Sequence, residues 1–365
     1  MSDLTEFYPH LVDDIRIRLV GVGGAGCNTI NRLMDAGLYG VKTIAANTDL
    51  QHLDLIRADK KILLGKTVTK LRGAGGDPIR GRMAAEESRE EIRKAIEGSD
   101  IVFIAAGLGG GTGTGAAPVI AETAREEGAI VVGVVTLPFV FEGQVRKRLA
   151  LQGLEELRKN TNTSVVVDNN KLLELYPQHG IKKAFSLADE VISNMIHSIT
   201  ESIAKPGLIN IDYADFKTII SRGKLASLGI GRSSSPNKAE EATFMALQSP
   251  LIDATYEGLS GAIVHVSGGE DMQLSEAARP AEIVSELMGE DGLVIWGARI
   301  DEAYTSTMQV SLILTGLTAG EQVLEVSEVP TTIQDLQTRP YDENQEVDRL
   351  LEQLGITTLN AQNYH

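Results

Sequence analysis

Short apolar, β-branched runs alternate with longer amphipathic stretches through the first half of the chain. Residues 15–20, 41–46, 100–106, 130–136 and 164–167 have strand length, and most are apolar enough to be covered on both faces. Between them the apolar spacing lengthens to that of helices: up to Met34 after the first run, over 79–97, and over 116–127. Asp77 followed by Pro78 supplies a cap and a first-turn residue for the second of these helices. Repeated alternation of strand and helix predicts an α/β fold, a doubly wound parallel sheet whose carboxyl-end loops hold ligands.

The pattern changes after the fifth strand. Phe185, Ala188, Val191, Ile192, Met195, Ile199 and Ile203 share one stripe of a long helix over 182–204, which stops at Lys205-Pro206-Gly207. Between two differently patterned halves it reads as a connecting spine. Beyond it, strands near 225–230, 261–267, 293–299 and 308–316 and helices near 237–248 and 274–288 predict a smaller α+β domain on a mixed sheet. From Ser327 the chain becomes a polar linker, and Val347, Leu350, Leu351 and Leu354 then recur at helical spacing before Gly355. The expected organisation is an N-terminal extension (1–14), a ligand-binding α/β domain (15–181), a central connecting helix (182–205), a C-terminal α+β domain (206–326), and a linker with a partner-binding tail (327–365).

Composition narrows the function classes. Apolar residues make up 42% and charged residues 23% of the 365, enough to bury a real core. A net charge of −16 opposes electrostatic binding to nucleic acid or to an anionic membrane. Cys27 is the only cysteine, so no intrachain disulfide forms, which fits a reducing cytosol. The apolar run 129–141 is short and broken by Pro138, and residues 1–14 are acidic without a signal-peptide core. A cytoplasmic protein is expected, with no nucleic-acid partner, no direct membrane insertion, and an adaptor for any membrane attachment.

Two glycine-rich stretches carry the candidate chemistry. Gly107-Leu108-Gly109-Gly110-Gly111-Thr112-Gly113-Thr114-Gly115 has six glycines in nine residues between a strand and a helix. Such a stretch costs backbone entropy, and it lets successive N–H groups approach a phosphate at the positive end of the helix. A tightly turning loop is the plainer alternative; the two threonines and the strand-loop-helix setting favour phosphate. A Walker A loop is excluded, because no lysine lies in or just after the stretch, and before Gly65-Lys66-Thr67 the leading glycine position holds Lys60. The earlier stretch, Gly21-Val22-Gly23-Gly24-Ala25-Gly26, matches the dinucleotide fingerprint, and the next strand ends at Asn47-Thr48-Asp49, where an acidic ribose contact would fall. Taken alone, this half describes a dinucleotide-dependent oxidoreductase. The second glycine loop counts against that reading, because a dinucleotide site has no evident use for it.

The run 109–115 resembles the signature loop of the tubulin superfamily, in the form found in the FtsZ family of tubulin-like cell-division GTPases of bacteria and archaea. The resemblance spans roughly residues 14–320 through motifs in order: 21–28, 46–49, 73–78, the signature loop, Phe139-x-x-Glu142-Gly143, Asn169, and Asn210-x-Asp212-Tyr213-Ala214-Asp215. It implies a GTP-binding domain over 15–181 and a cytoskeletal GTPase that assembles head to tail into filaments. By that resemblance Gly23, Gly24, Ala25, Gly26, Cys27, Asn28, Asn47, Gly110, Gly111, Thr112, Gly113 and Thr114 line the GTP/GDP site, with 24–28 and 110–114 around the phosphates. Glu142 and Arg146 reach the ribose, and Asn169, Phe185 and Asp189 hold the guanine. A carboxylate such as Asp189 accepts from both N1–H and N2–H of guanine, a pair that adenine does not present.

The plainer readings are a packing residue for Cys27, a core aromatic for Phe185, a solvated acid for Asp189 and helix capping for Asp212 and Asp215. The resemblance implies instead that Asp212 and Asp215, with Asn210, polarise the attacking water in the site of a neighbouring subunit. It also implies Mg2+, for which no protein ligand is identified. Lys224 after Gly223, Asp168, and Tyr213 in place of phenylalanine depart from the family pattern without touching the nucleotide site. The tail lacks the short peptide by which bacterial relatives bind membrane adaptors, so a membrane adaptor bound by this tail, at the division site, is expected without an identity.

Overall fold

A computed structural model of the chain describes residues 15–171, 181–204, 207–248, 254–255, 258–289 and 292–319, all within a compact unit spanning Met1–Leu324. The expected N-terminal extension and the tail with its Val347 to Leu354 stripe lie outside the described residues.

Six strands run parallel: β1 (Ile17–Val22), β2 (Val41–Asn47), β3 (Lys60–Leu63), β4 (Ile101–Gly107), β5 (Ile130–Leu137) and β6 (Thr163–Asp168), in the spatial order β3-β2-β1-β4-β5-β6. Strand order therefore reverses between β1 and β4, which lie side by side with Val22 opposite Ala106. In a doubly wound sheet such a reversal opens the crevice where ligands bind. The two glycine-rich stretches leave the sheet from these two adjacent strand ends.

The sheet continues into the second half. β7 (Leu225–Ser233) joins β6 in parallel through the pairs Ser164–Leu225 and Val165–Ala226. A small separate sheet pairs β8 (Ala254–Thr255) with the last described strand, while β9 (Gly261–Gly268) and β10 (Leu293–Ile300) run parallel at the outer edge. β11 (Met308–Thr315) lies antiparallel between β7 and β9, which makes this half of the sheet mixed, as expected.

Alternate residues of each strand feed two cores, one on each face. Val20, Ile104 and Val131 pack into one, Leu19, Phe103 and Val132 into the other. The second core contains the helix Gly23–Ala36 through Cys27, Ile30 and Leu33, the spine helix Ile181–Ala204 through Ile192, Ile196 and Ile199, and the helix Tyr213–Ile220 through Phe216. Near the spine's far end Glu201 pairs with the buried Arg299 of β10 at 3.5 Å, and Arg299 also pairs with Asp301 at 3.1 Å. At about 1.5 Å per residue the spine is roughly 36 Å long.

Three elements differ from expectation. The helix of the signature loop begins at Thr112, so both of its threonines sit in the first turn. The stretch 79–97 is two helices, Pro78–Glu87 and Arg89–Ile96, broken at Ser88, whose hydroxyl accepts the Gly65 N–H at 3.0 Å. The helix Gln144–Asn160 buries only Ala150, Gly153, Leu154 and Leu157, too narrow a stripe to stand out among its charges.

Packing in the first loop makes a direct test. A Cβ on Gly26 would lie 2.2 Å from the Ala105 carbonyl oxygen, whereas one on Gly24 meets nothing within 4 Å. Gly26→Ala should cost about 1–3 kcal/mol of stability, read as a fall in Tm, while Gly24→Ala leaves Tm nearly unchanged. Equal Tm values for the two variants would contradict this packing.

Candidate functional site

The two glycine loops pack backbone against backbone into one cradle. Gly23 holds a left-handed φ of +71° and would place a Cβ 2.9 Å from the Gly113 nitrogen. A Cβ on Gly107 would meet Ala25 at 2.8 Å, one on Gly113 would meet the Gly107 oxygen at 2.4 Å, and one on Gly111 would press on Ala74 and Asp77. Gly24 and Gly110 alone of this group face open space. Thr114 Oγ1 accepts the Gly109 N–H at 2.8 Å, and the hydroxyls of Thr112 and Thr48 hydrogen-bond at 2.7 Å. Neither the helix Gly23–Ala36 nor the helix Thr112–Glu126 has a side-chain cap. Their first-turn N–H groups are therefore available at the cradle, and two positive helix ends there suit an anion.

A second group of residues lies at the exits of β5 and β6. Phe139 is buried and stacks on Phe141 with centroids 4.9 Å apart, and Phe185 from the spine meets Phe139 edge-on at the same distance. Phe185 is 41% exposed, so part of its ring remains open. Asn169, just after β6, is buried with its Oδ1 lacking a hydrogen-bond partner among the described residues, whereas Asn170 accepts the Val140 N–H at 2.7 Å. Asp189 lies one turn beyond Phe185. Burial pushes its carboxyl up to about 6, against the opposing pull of the nearby Arg32 charge. Glu142 accepts the Phe139 N–H at 2.9 Å and pairs with Arg146 one helical turn away. An orphaned acceptor, a desolvated carboxyl and a partly exposed aromatic ring are a chemistry that a planar, donor-bearing base satisfies.

The remaining candidates sit at the other end of the sheet. Asp212 caps the helix Tyr213–Ile220 and accepts the Asp215 N–H at 2.7 Å; Asn210 accepts the Gly207 N–H at 2.6 Å. Tyr213 donates its hydroxyl to the Asp100 carbonyl at 3.3 Å. Asp100 precedes the first residue of β4, while the signature loop begins at its last, Gly107. Seven residues of strand separate those ends by about 23 Å. The acids and the cradle do not meet within one chain.

Cys27 contributes no side chain to the cradle. Its thiol is fully buried against the Gly21 and Ala46 carbonyls, and burial pushes it up to about 12, so only its backbone faces the loop region. Sequence reading missed Thr48 as a hydrogen-bond partner of the signature loop, and it missed His52, whose ring lies between Asn47 and Asn28. A histidine three residues after the helix-capping Asp49 was the available signal.

Residues 16–177 match the Tubulin/FtsZ family GTPase domain, and residues 224–318 match the FtsZ family C-terminal domain. The chain belongs to the FtsZ family. It is 51% identical to cell division protein FtsZ 1 of Methanocaldococcus jannaschii over 83% of both chains. Identity to FtsZ 1 of Thermococcus kodakarensis is 48%, over 90% of this chain and 88% of the relative. The structure of an empty FtsZ dimer from M. jannaschii superposes with a TM-score of 0.82 at 47% identity, covering 91% of this chain and all of that one. The expected α/β fold with its GTPase and C-terminal domains is thus borne out. The oxidoreductase reading falls: its glycine fingerprint is half of a cradle shared with the signature loop, and the matched domain is a GTPase.

Asp189 gives a test with two opposite signs. Its folded-state pKa of about 6 lies above the ordinary carboxylate value, so the fold is most stable with the group protonated and loses stability as pH rises from about 4 through 6. Asp189→Asn should therefore raise the stability of nucleotide-free protein at pH 7, by about 1–3 kcal/mol. The same change should weaken GTP binding by about 2–4 kcal/mol and shift preference towards xanthine nucleotides. Wild-type affinity for GTP should itself decline below pH 6. Unchanged GTP affinity in direct titration would contradict a base-reading Asp189.

Proposed function

We propose that this chain is a GTPase that assembles head to tail into filaments for cell division and hydrolyses GTP at the contact between successive subunits. The observation that carries the reading is the separation of Asp212 and Asp215 from the glycine cradle by the length of β4. A site divided between the two ends of a subunit is completed when the acid-bearing end of one copy meets the cradle of the next. The relation repeats in the same sense along a filament.

In this reading the N–H groups of 24–28 and 110–114 hold the phosphates, and Thr112 and Thr114, fixed by their own hydrogen bonds, keep the cradle in shape. Glu142 and Arg146 reach the ribose. Asn169 and Asp189 accept from the guanine edge, and Phe185 stacks on the base. Asp212 and Asp215 from the next subunit, with Asn210 holding the turn, orient the attacking water; phosphoryl transfer needs a placed water and charge neutralisation more than a strong base. Mg2+, when bound, supplies part of that neutralisation. Among the described residues no group of three or more His, Cys, Asp or Glu is placed to hold a metal, so its ligands would come chiefly from phosphate oxygens and water.

No described helix is long and apolar enough to cross a membrane. The reading places the protein in the cytoplasm at the division site, with the tail beyond 327 recruiting a membrane adaptor.

Asp212→Asn and Asp215→Asn proteins should bind GTP and form filaments yet hydrolyse it at least tenfold more slowly, and wild-type specific activity should rise with protein concentration. Mixing Asp212→Asn with a cradle variant altered at Gly110 and Thr112 should restore part of the turnover that each lacks alone, because a mixed contact pairs an intact cradle with intact acids. No rescue at any ratio, or high turnover by isolated wild-type monomers, would contradict the shared site.

A further inference from the structure

We propose that His52 is a positioning residue for the nucleotide site: it fixes the orientation of the Asn28 amide so that Asn28 presents N–H donors to the bound phosphates. The inference rests on the nucleotide reading given above. Its starting point is an unambiguous donor, the backbone N–H of Thr48, which donates to Asn47 Oδ1 at 2.8 Å. That bond orients the buried Asn47 amide and leaves its Nδ2 facing His52 Nδ1 at 3.1 Å. An amide nitrogen only donates, so Nδ1 accepts and the ring carries its proton on Nε2. Nε2–H then donates to Asn28 Oδ1 at 3.0 Å. With its oxygen engaged, Asn28 has two N–H donors left, and it stands exposed in the first turns of an uncapped helix beside the cradle.

The polarity of the network is thus set from one end to the other. A ring protonated on both nitrogens could not accept from Asn47, and a side chain without an acceptor would leave a buried amide N–H unpaired. The same network reaches the second loop, because Thr48 Oγ1 pairs with Thr112 Oγ1 at 2.7 Å. His52 is therefore connected to Asn28 on the first loop's helix and, through Asn47 and Thr48, to Thr112 of the signature loop. Its position is firm: Asp49 accepts the His52 N–H at 3.2 Å, Leu53 is buried, and Asn31, one turn beyond Asn28, accepts the Arg57 N–H at 3.0 Å.

The test is a double-mutant cycle on the full-length chain, with GTP affinity measured by titration and turnover measured in assembled filaments at saturating GTP. His52→Ala and Asn28→Ala should each weaken GTP binding about tenfold, and the double variant should be no weaker than the single ones. In His52→Ala, turnover per assembled subunit should stay within about twofold of wild type, placing the effect on binding. His52→Gln, which has an acceptor and a donor on one amide, should recover most of the affinity that alanine loses. Should His52→Ala not fold, His52→Phe fills the volume without donor or acceptor and takes its place in the cycle. Losses that multiply in the double variant, a glutamine no better than alanine, or unchanged affinity in the alanine and phenylalanine variants would overturn the inference. Wild-type protein that binds no guanine nucleotide would instead remove the reading beneath it.

Discussion

The approach of two backbones where β1 and β4 end side by side is the constraint on which this structure depends. A side chain on Gly23 or Gly107 would occupy the space of the opposing loop, and one on Gly113 would strike the Gly107 carbonyl within its own loop. The glycines are therefore required first by packing, and the cradle follows from it, because loops this close can aim two helix ends at one point. Gly24 and Gly110 show the other side of the same geometry, since what they leave free is open to a ligand. In the proposed reading phosphate affinity needs no lysine; helix-end N–H groups held at fixed spacing would supply it.

The second constraint is length. A seven-residue strand and a 24-residue helix both lie between the cradle end of the molecule and the loop that carries Asp212. Rigid elements of this size keep the acids away from the cradle in an isolated chain. In the proposed reading such an arrangement would tie turnover to assembly without any regulatory element, because the contact that builds the filament would also be the one that completes the site. Burial of Asp189 fits the same reading: a carboxyl held out of water weakens the empty fold and would be relieved by donors from a bound base.

Much of this was legible in the chain. Apart from β7, which runs three residues further than read, to Ser233, the strands read from apolar runs lie within a residue or two of those observed, because strands buried on both faces leave an uninterrupted signal. The Asp77-Pro78 helix start was legible for a local reason, since a cap needs only its own neighbours. What depended on distant partners was not. Ser88 breaks a helix in order to accept from Gly65, a residue 23 positions away. Phe185 fits the apolar stripe of the spine, yet its ring stands half open beside Phe139. The role of His52 depends on two asparagines that the sequence separates and the fold brings to either side of its ring.

The most direct measurement is the structure of a filament of this chain assembled with a slowly hydrolysed GTP analogue. The account predicts the analogue's phosphates on the cradle formed by Gly24, Gly110 and Thr112 of one subunit. Asp212 and Asp215 of the next subunit should then lie within one water molecule of the terminal phosphate. A filament in which those acids face solvent, with the terminal phosphate enclosed by side chains of a single subunit, would contradict it.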